Sequence, residues 1–309
     1  MASAGETEVG APPAGGMEYS TRGADLDEEF YDPAETAWLS DLTGIADPEE
    51  LKKHILQVQR DVYAIHPYPC IRLFNFVKQK ISRFPIYQEL LRLGRERPGA
   101  LFLDIGCGVG NDTRKAVLDG FPASQIVASD LHANFWDIGH RVFKSTPETF
   151  PVKFVSGNIF DDDFLAPADA PIPAGDAPPV DLRALTSLSP LRGRLSAIYA
   201  SSFFHLFSET QQATLAARLG ALLAPTPGSF IFGSHIGRPE KGLRTELARP
   251  NVASSVRMLC HSPESWRELW EGVFGKDRVE VKAVLREVQR RDMPEGVTAF
   301  IMAWSVKRL

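Results

Sequence analysis

Cysteine is scarce in this chain. Cys70, Cys107 and Cys260 are scattered through 309 residues and form no CxxC pair. That argues against a disulfide framework and a zinc site, and it suits a reducing, cytoplasmic setting with no metal. An excess of positive charge is also missing: 34 Lys and Arg stand against 39 Asp and Glu, a net charge of −5. Nucleic-acid binding ordinarily needs a basic face, so the charge gives no reason to expect it. No stretch approaches the ~20 apolar residues of a membrane span. The opening "MASAGETEVGAPPAGGMEYSTRG" has neither a basic start nor an apolar stretch, so it does not read as a secretory signal. Small, acidic and rich in Gly and Pro, residues 1–25 read as a disordered tail.

What remains is ordinary for a soluble globular protein, with 44% hydrophobic and 24% charged residues. The length suits one large α/β domain with additions, or two small ones. Order is expected to begin near "EEFYDPAETAWL", where Phe30, Tyr31 and Trp38 supply anchors. In "DPEELKKHILQVQRDVYAI", Asp47 can cap a helix, Pro48 suits its first position and Glu50 completes a capping box. Leu51, Ile55, Val58 and Val62 then fall on one helical face, and "HPYPC" stops the helix. Residues 26–98 thus form a helical N-terminal cap on a core spanning 99–309.

In that core, apolar strand candidates alternate with helical stretches: "ALFLDI", "QIVASD", "VKFVS", "SAIYAS" and "SFIFG". Such alternation implies a doubly wound parallel sheet. A Ser208–Gln211 capping box opens one helix, and "SPESWRELWEGVF" is another, with Trp266, Leu269, Trp270 and Val273 as its core face. Two longer strand candidates, "RVEVKAVLREV" and "VTAFIMAWSVK", close the sequence and are positioned to pair antiparallel. One segment breaks the pattern. Residues 165–193 carry six prolines and read as an insertion running over the surface, either solvated or serving as a substrate lid.

The informative stretch is "LFLDIGCGVGND", in which a strand ends at Asp104 and glycines follow at 106, 108 and 110. A dinucleotide fingerprint is G-x-G-x-x-G, and the place of its third glycine is taken by Asn111. The spacing instead suits S-adenosylmethionine, whose ammonium and sulfonium Asp104 can serve. Asp130, at the end of the second strand, can accept hydrogen bonds from ribose hydroxyls.

On these residues the chain resembles the class I S-adenosylmethionine-dependent methyltransferases. The resemblance implies a Rossmann-like seven-stranded sheet with a C-terminal antiparallel hairpin. It also implies that Asp104, Gly106, Cys107, Gly108 and Gly110 hold the methionine part and Asp130 the ribose. Asn158 in "SGNIFD" stands where that family usually has an aspartate, and with Ile159 it would meet the adenine. Leu131 and Ser201 complete the expected cofactor set. "HPYPCI", "SSFFHLF" and "CHSPESWRELWEGVFG" together resemble a fungal group of secondary-metabolite methyltransferases acting on meroterpenoid, polyketide or aromatic intermediates. That resemblance implies methylation of a carboxyl or phenolic oxygen.

For the chemistry, His205 in "SSFFHLF" is the first candidate, as general base or as a residue that only orients the substrate. His235 in "GSHIGRPEKG" is the second. His66, Tyr68 and Phe204 are candidates to line the acceptor site, and Arg238 or Arg257 to pair with an acidic group on it; His261 reads as structural. The runner-up readings are an N- or C-methyltransferase, a non-catalytic protein that keeps the fold, and a nucleotide-dependent oxidoreductase.

Overall fold

The structure is a computed structural model and describes residues 26–170, 180–244, 258–289 and 298–309. Its centre is a seven-stranded sheet in the order β3-β2-β1-β4-β5-β9-β8. The strands are β1 (Leu101–Ile105), β2 (Ile126–Asp130), β3 (Lys153–Ser156), β4 (Leu195–Tyr199), β5 (Phe230–Gly237), β8 (Val279–Val288) and β9 (Ala299–Arg308). The first five are parallel neighbours, and β9 runs antiparallel to both β5 and β8. Strands β1, β2, β4 and β5 are almost continuously buried, as helices on both faces require, whereas β3 at the sheet edge is only partly covered. A small antiparallel pair, β6 (Gly242–Arg244) with β7 (Met258–Cys260), lies outside the sheet and was not anticipated.

Helices α6 (Asn111–Leu118) and α7 (Ala133–Val142) follow β1 and β2, and α8 (Glu209–Leu222) and α9 (Pro263–Phe274) follow β4 and β7. Ser208 and Ser262 form the capping boxes that start the last two. Trp266 and Trp270 are fully buried among Phe204, Trp304 and Met302.

The N-terminal region consists of α1 (Pro33–Thr36), α2 (Leu39–Thr43), α3 (Pro48–Ile65), α4 (Pro69–Arg72) and α5 (Tyr87–Glu96). Asp47 accepts the Glu50 N–H at 2.9 Å and starts α3. The expected apolar stripe of α3, Leu51, Ile55, Val58 and Val62, is buried against Phe135, Ile138, Val142 and Val109. This cap therefore packs on α7 and on the glycine turn itself.

The Pro-rich segment departs from a solvated surface run. Leu185, Leu188 and Leu191 are buried in the main core, the Leu188 N–H donates to the Phe164 carbonyl at 2.9 Å, and the Ser189 hydroxyl accepts from the Ala166 N–H at 2.8 Å. Three leucines at three-residue spacing supply enough apolar area to draw the chain inward despite its prolines. Residues 171–179 of this segment lie outside the described ones, as do residues 1–25.

Candidate functional site

The glycine turn is bound to the neighbouring strand by its own backbone. The N–H groups of Gly106 and Cys107 both donate to the Ser129 carbonyl, at 2.8 and 3.1 Å. All three glycines have positive φ, at 70°, 54° and 75°. The space around them differs. A Cβ on Gly106 would fall 2.6 Å from the Phe203 ring, and one on Gly110 2.7 Å from Trp136, whereas Gly108 faces open space. Helix α7 comes close enough to the turn that a Cβ on Gly139 would meet the Val109 carbonyl at 2.3 Å. The turn is thus packed on two sides and open at its middle residue.

Two carboxylates flank that opening. Asp104 is buried and accepts the Thr113 hydroxyl at 2.5 Å. Burial, opposed by the Thr113 bond and reinforced by the charge of Asp112, pushes its carboxyl up to about 7. Asp130 is only partly covered and accepts the N–H of Gly108 at 2.9 Å and that of His132 at 3.0 Å, one on each oxygen. Burial raises its pKa, and those two backbone bonds oppose the rise. Leu131 beside it is 47% exposed, an apolar side chain facing outward next to a carboxylate. Cys107 is buried, and its thiol is pushed up by burial and then by the charges of Asp104 and Asp130.

The cap is attached to this turn by a clamp that sequence reasoning missed. Asp112, buried at the start of α6, accepts the N–H groups of Lys80 and Ile81, both at 2.9 Å, and the Tyr199 hydroxyl at 3.1 Å. Asn111 donates to the Lys78 carbonyl at 2.7 Å. The residue that excludes a dinucleotide fingerprint is therefore a tether for the cap. Arg114 braces the turn from below, donating to the carbonyls of Val109 and Gly110 while its guanidinium lies 4.3 Å from the Phe143 ring and 4.2 Å from the Phe150 ring.

His66 and Tyr68 stack at 4.0 Å, and His66 lies 5.8 Å from His132. Burial, then the Asp130 charge, pushes the Tyr68 phenol up, which sets Tyr68 beside the second carboxylate. These two residues sit at the Asp130 edge rather than at the ends of β4 and β5. Asn158 lies in the loop after β3 with its side-chain oxygen accepting the Phe160 N–H at 3.0 Å. Ile159 next to it is buried in the core.

At the end of β4, Ser201 reaches the Ser234 hydroxyl at 3.3 Å, and Ser202 adopts φ 54°. The turn Phe204–Leu206 follows. Phe204 is fully buried against Trp266 (4.9 Å) and cannot line a binding surface; the preceding Phe203 lies across Gly106 instead. His205 on that turn is partly exposed and close enough to His235 to lower its pKa. His235 is 3% exposed and accepts the Trp304 indole N–H on Nδ1 at 3.0 Å. An indole only donates, so the neutral His235 ring carries its proton on Nε2. Burial holds its pKa well below the ordinary value, with His205 and His261 adding to the effect. Its Nε2–H is buried as well, without a hydrogen-bond partner among the described residues. His261 bonds the Ser265 hydroxyl at 2.9 Å, and burial lowers its pKa to about 4. The Arg238 N–H donates to the His261 carbonyl at 3.0 Å, and Arg257 lies outside the described residues.

Among the described residues no helix is long and apolar enough to cross a membrane, and no cluster of three metal-ligating side chains occurs. An open glycine turn between two strand-end carboxylates, on this strand order with its reversed β9, defines the methyltransferase class of Rossmann-like folds. Residues 22–77 match the family described as the meroterpenoid methyltransferase N-terminal domain. The Asnovolin E/Chermesin D methyltransferase nvfJ of Aspergillus novofumigatus is 31% identical over 224 residues, 72% of this chain and 70% of that protein. The O-methyltransferase phiE of a fungal species is 28% identical over 92% of this chain and 84% of its own length. Among solved structures, the 1,6-didemethyltoxoflavin-N1-methyltransferase of Burkholderia thailandensis covers 85% of this chain and 91% of its own at 17% identity, with a TM-score of 0.46. The chain belongs to the family of fungal secondary-metabolite methyltransferases, and it is an enzyme of that kind.

Proposed function

We propose that this enzyme methylates an oxygen, phenolic or carboxyl, of a small secondary metabolite, with S-adenosylmethionine as the donor held over the glycine turn. The cofactor supplies an electrophilic methyl group on a sulfonium. The protein's task is to hold donor and acceptor in line, which by itself removes much of the barrier. Asp130 carries the reading. Each of its oxygens already accepts one backbone N–H, and a carboxylate oxygen retains a second lone pair. Its orientation is therefore fixed while two acceptor positions remain for a pair of vicinal hydroxyls. Gly108 leaves room beside it, Leu131 offers an apolar surface to a base, and Asp104 offers a buried charge to an ammonium. His205 takes the proton of a hydroxyl acceptor, and the buried, neutral His235 ring lies near it. The acceptor class is tested by incubating the enzyme with labelled cofactor and a panel of phenols, carboxylic acids and amines, read by mass spectrometry. Products methylated only on nitrogen or carbon would overturn the oxygen assignment.

Asp130→Ala should weaken S-adenosylhomocysteine binding by about tenfold or more, the worth of roughly 1.5–3 kcal/mol for hydrogen bonds to a charged group. Calorimetry checks this, and an unchanged affinity would remove Asp130 from the ribose site.

Asp104 predicts a pH dependence. Below its raised pKa of about 7 the carboxyl holds a proton that a bound ammonium must displace. Affinity for S-adenosylhomocysteine should fall as pH drops below about 7, by up to tenfold per unit. Asp104→Asn should bind more weakly and flatten this slope. The same shift acts on folding with the opposite sense: the native carboxyl keeps a proton that the unfolded one loses at its ordinary 3.8. Stability from this group is therefore lost as pH rises from 3.8 to about 7.

A further inference from the structure

The loop after β3 has no regular structure, yet it must hold one shape if Asn158 is to read a base. What holds it is a side chain from another element. Arg218 of α8 is 8% exposed, and its guanidinium donates to the Ile159 carbonyl at 3.2 Å, to the Leu165 carbonyl, and to the Asp162 carboxylate at 2.5 Å. One planar group thus grips the residue directly after Asn158 and the residue that ends the loop. Burying a guanidinium is costly unless its donors are satisfied, and here the loop supplies acceptors to both terminal amino groups, while the buried Nε has none among the described residues. The loop also closes on itself: a Cβ on Gly157 would fall 2.2 Å from the Phe164 ring.

Resting on the cofactor reading above, we propose that Arg218 is the positioning residue for recognition of the cofactor's adenine. It touches no cofactor atom. It holds the Ile159–Phe160 peptide by its carbonyl, and the N–H of that same peptide donates to the Asn158 side chain, which fixes which end of the amide is the oxygen. The remaining lone pair of that oxygen accepts from an exocyclic amine and repels an exocyclic carbonyl. Discrimination between adenine and hypoxanthine is therefore a measure of loop geometry that loss of overall stability does not imitate.

The experiment compares binding of S-adenosylhomocysteine and S-inosylhomocysteine by calorimetry, with melting temperatures recorded alongside. Wild type should prefer the adenine compound by about tenfold or more, since the hypoxanthine carbonyl would leave the Asn158 oxygen facing a second acceptor. Arg218→Lys keeps the charge but loses the fork, and the ratio should fall to about threefold or less. Asp162→Asn, altering a side chain that is 66% exposed, should keep the fold and reduce the ratio to an intermediate value. A merely structural arginine would weaken both ligands equally; a wild-type ratio in both variants overturns the proposal. If Arg218→Lys does not fold, Asp162→Asn decides alone. A wild-type enzyme that binds neither compound overturns the cofactor reading itself, and one that binds both equally overturns only the role of the loop.

Discussion

A His205→Ala enzyme should methylate a phenolic acceptor about 10²–10⁴ times more slowly than wild type, the usual worth of a positioned general base. Its affinity for S-adenosylhomocysteine should stay within about twofold, because the proposed cofactor residues do not include His205. The reason the burden falls on this residue is the state of its neighbour. With Trp304 donating to Nδ1, His235 has no free lone pair to take a proton. A carboxylic-acid acceptor changes the expectation, since it is already ionised above pH ~5 and needs no base. The same substitution should then cost little beyond misplacement. Rates under saturating cofactor with one phenol and one carboxylic acid separate the cases. Wild-type turnover of the phenol by the variant would remove His205 from the mechanism.

The second large effect is expected at the clamp. Asp112→Ala leaves the N–H groups of Lys80 and Ile81 and the hydroxyl of Tyr199 without their acceptor. Each buried group left unpaired costs about 1–3 kcal/mol, so the variant should lose at least ~3 kcal/mol. That is a large share of the roughly 5–15 kcal/mol that holds a domain folded. Denaturant unfolding gives the magnitude, and hydrogen exchange at residues 78–81 shows where the loosening lies. Asn111→Ala, which deletes one bond to the Lys78 carbonyl, should cost less. Full stability of Asp112→Ala would show that the cap is held by apolar packing alone.

How much of this was legible depended on the range of the interaction. The strands could be read because each is an apolar run bounded by turn residues, and α3 because Leu51, Ile55, Val58 and Val62 repeat at helical spacing. β5 runs on to Gly237, past the expected end at Gly233, because β9 pairs along its whole length. The Asp112 clamp could not be read, since it joins residues 31 and 32 positions apart and leaves no local pattern. Phe203 and Phe204 are adjacent and alike in sequence. Which one faces the glycine turn is decided by the left-handed backbone at Ser202, a conformation unusual for serine. The buried leucines of the Pro-rich segment did carry a signal, at three-residue spacing, but the prolines around them masked it.

The strand order also dictates how this protein must be made. β8 leaves the ribosome before β9, yet its one neighbour in the sheet is β9, which lies between it and β5. Until the residues of β9 have emerged, β5 offers a bare edge and β8 has nothing to pair with. Completion of the sheet is therefore a late, non-local event in biosynthesis, with unpaired edges that attract other nascent chains in the meantime. Chaperone dependence and inclusion-body formation on overexpression should be governed by this strand insertion rather than by the catalytic half of the sheet.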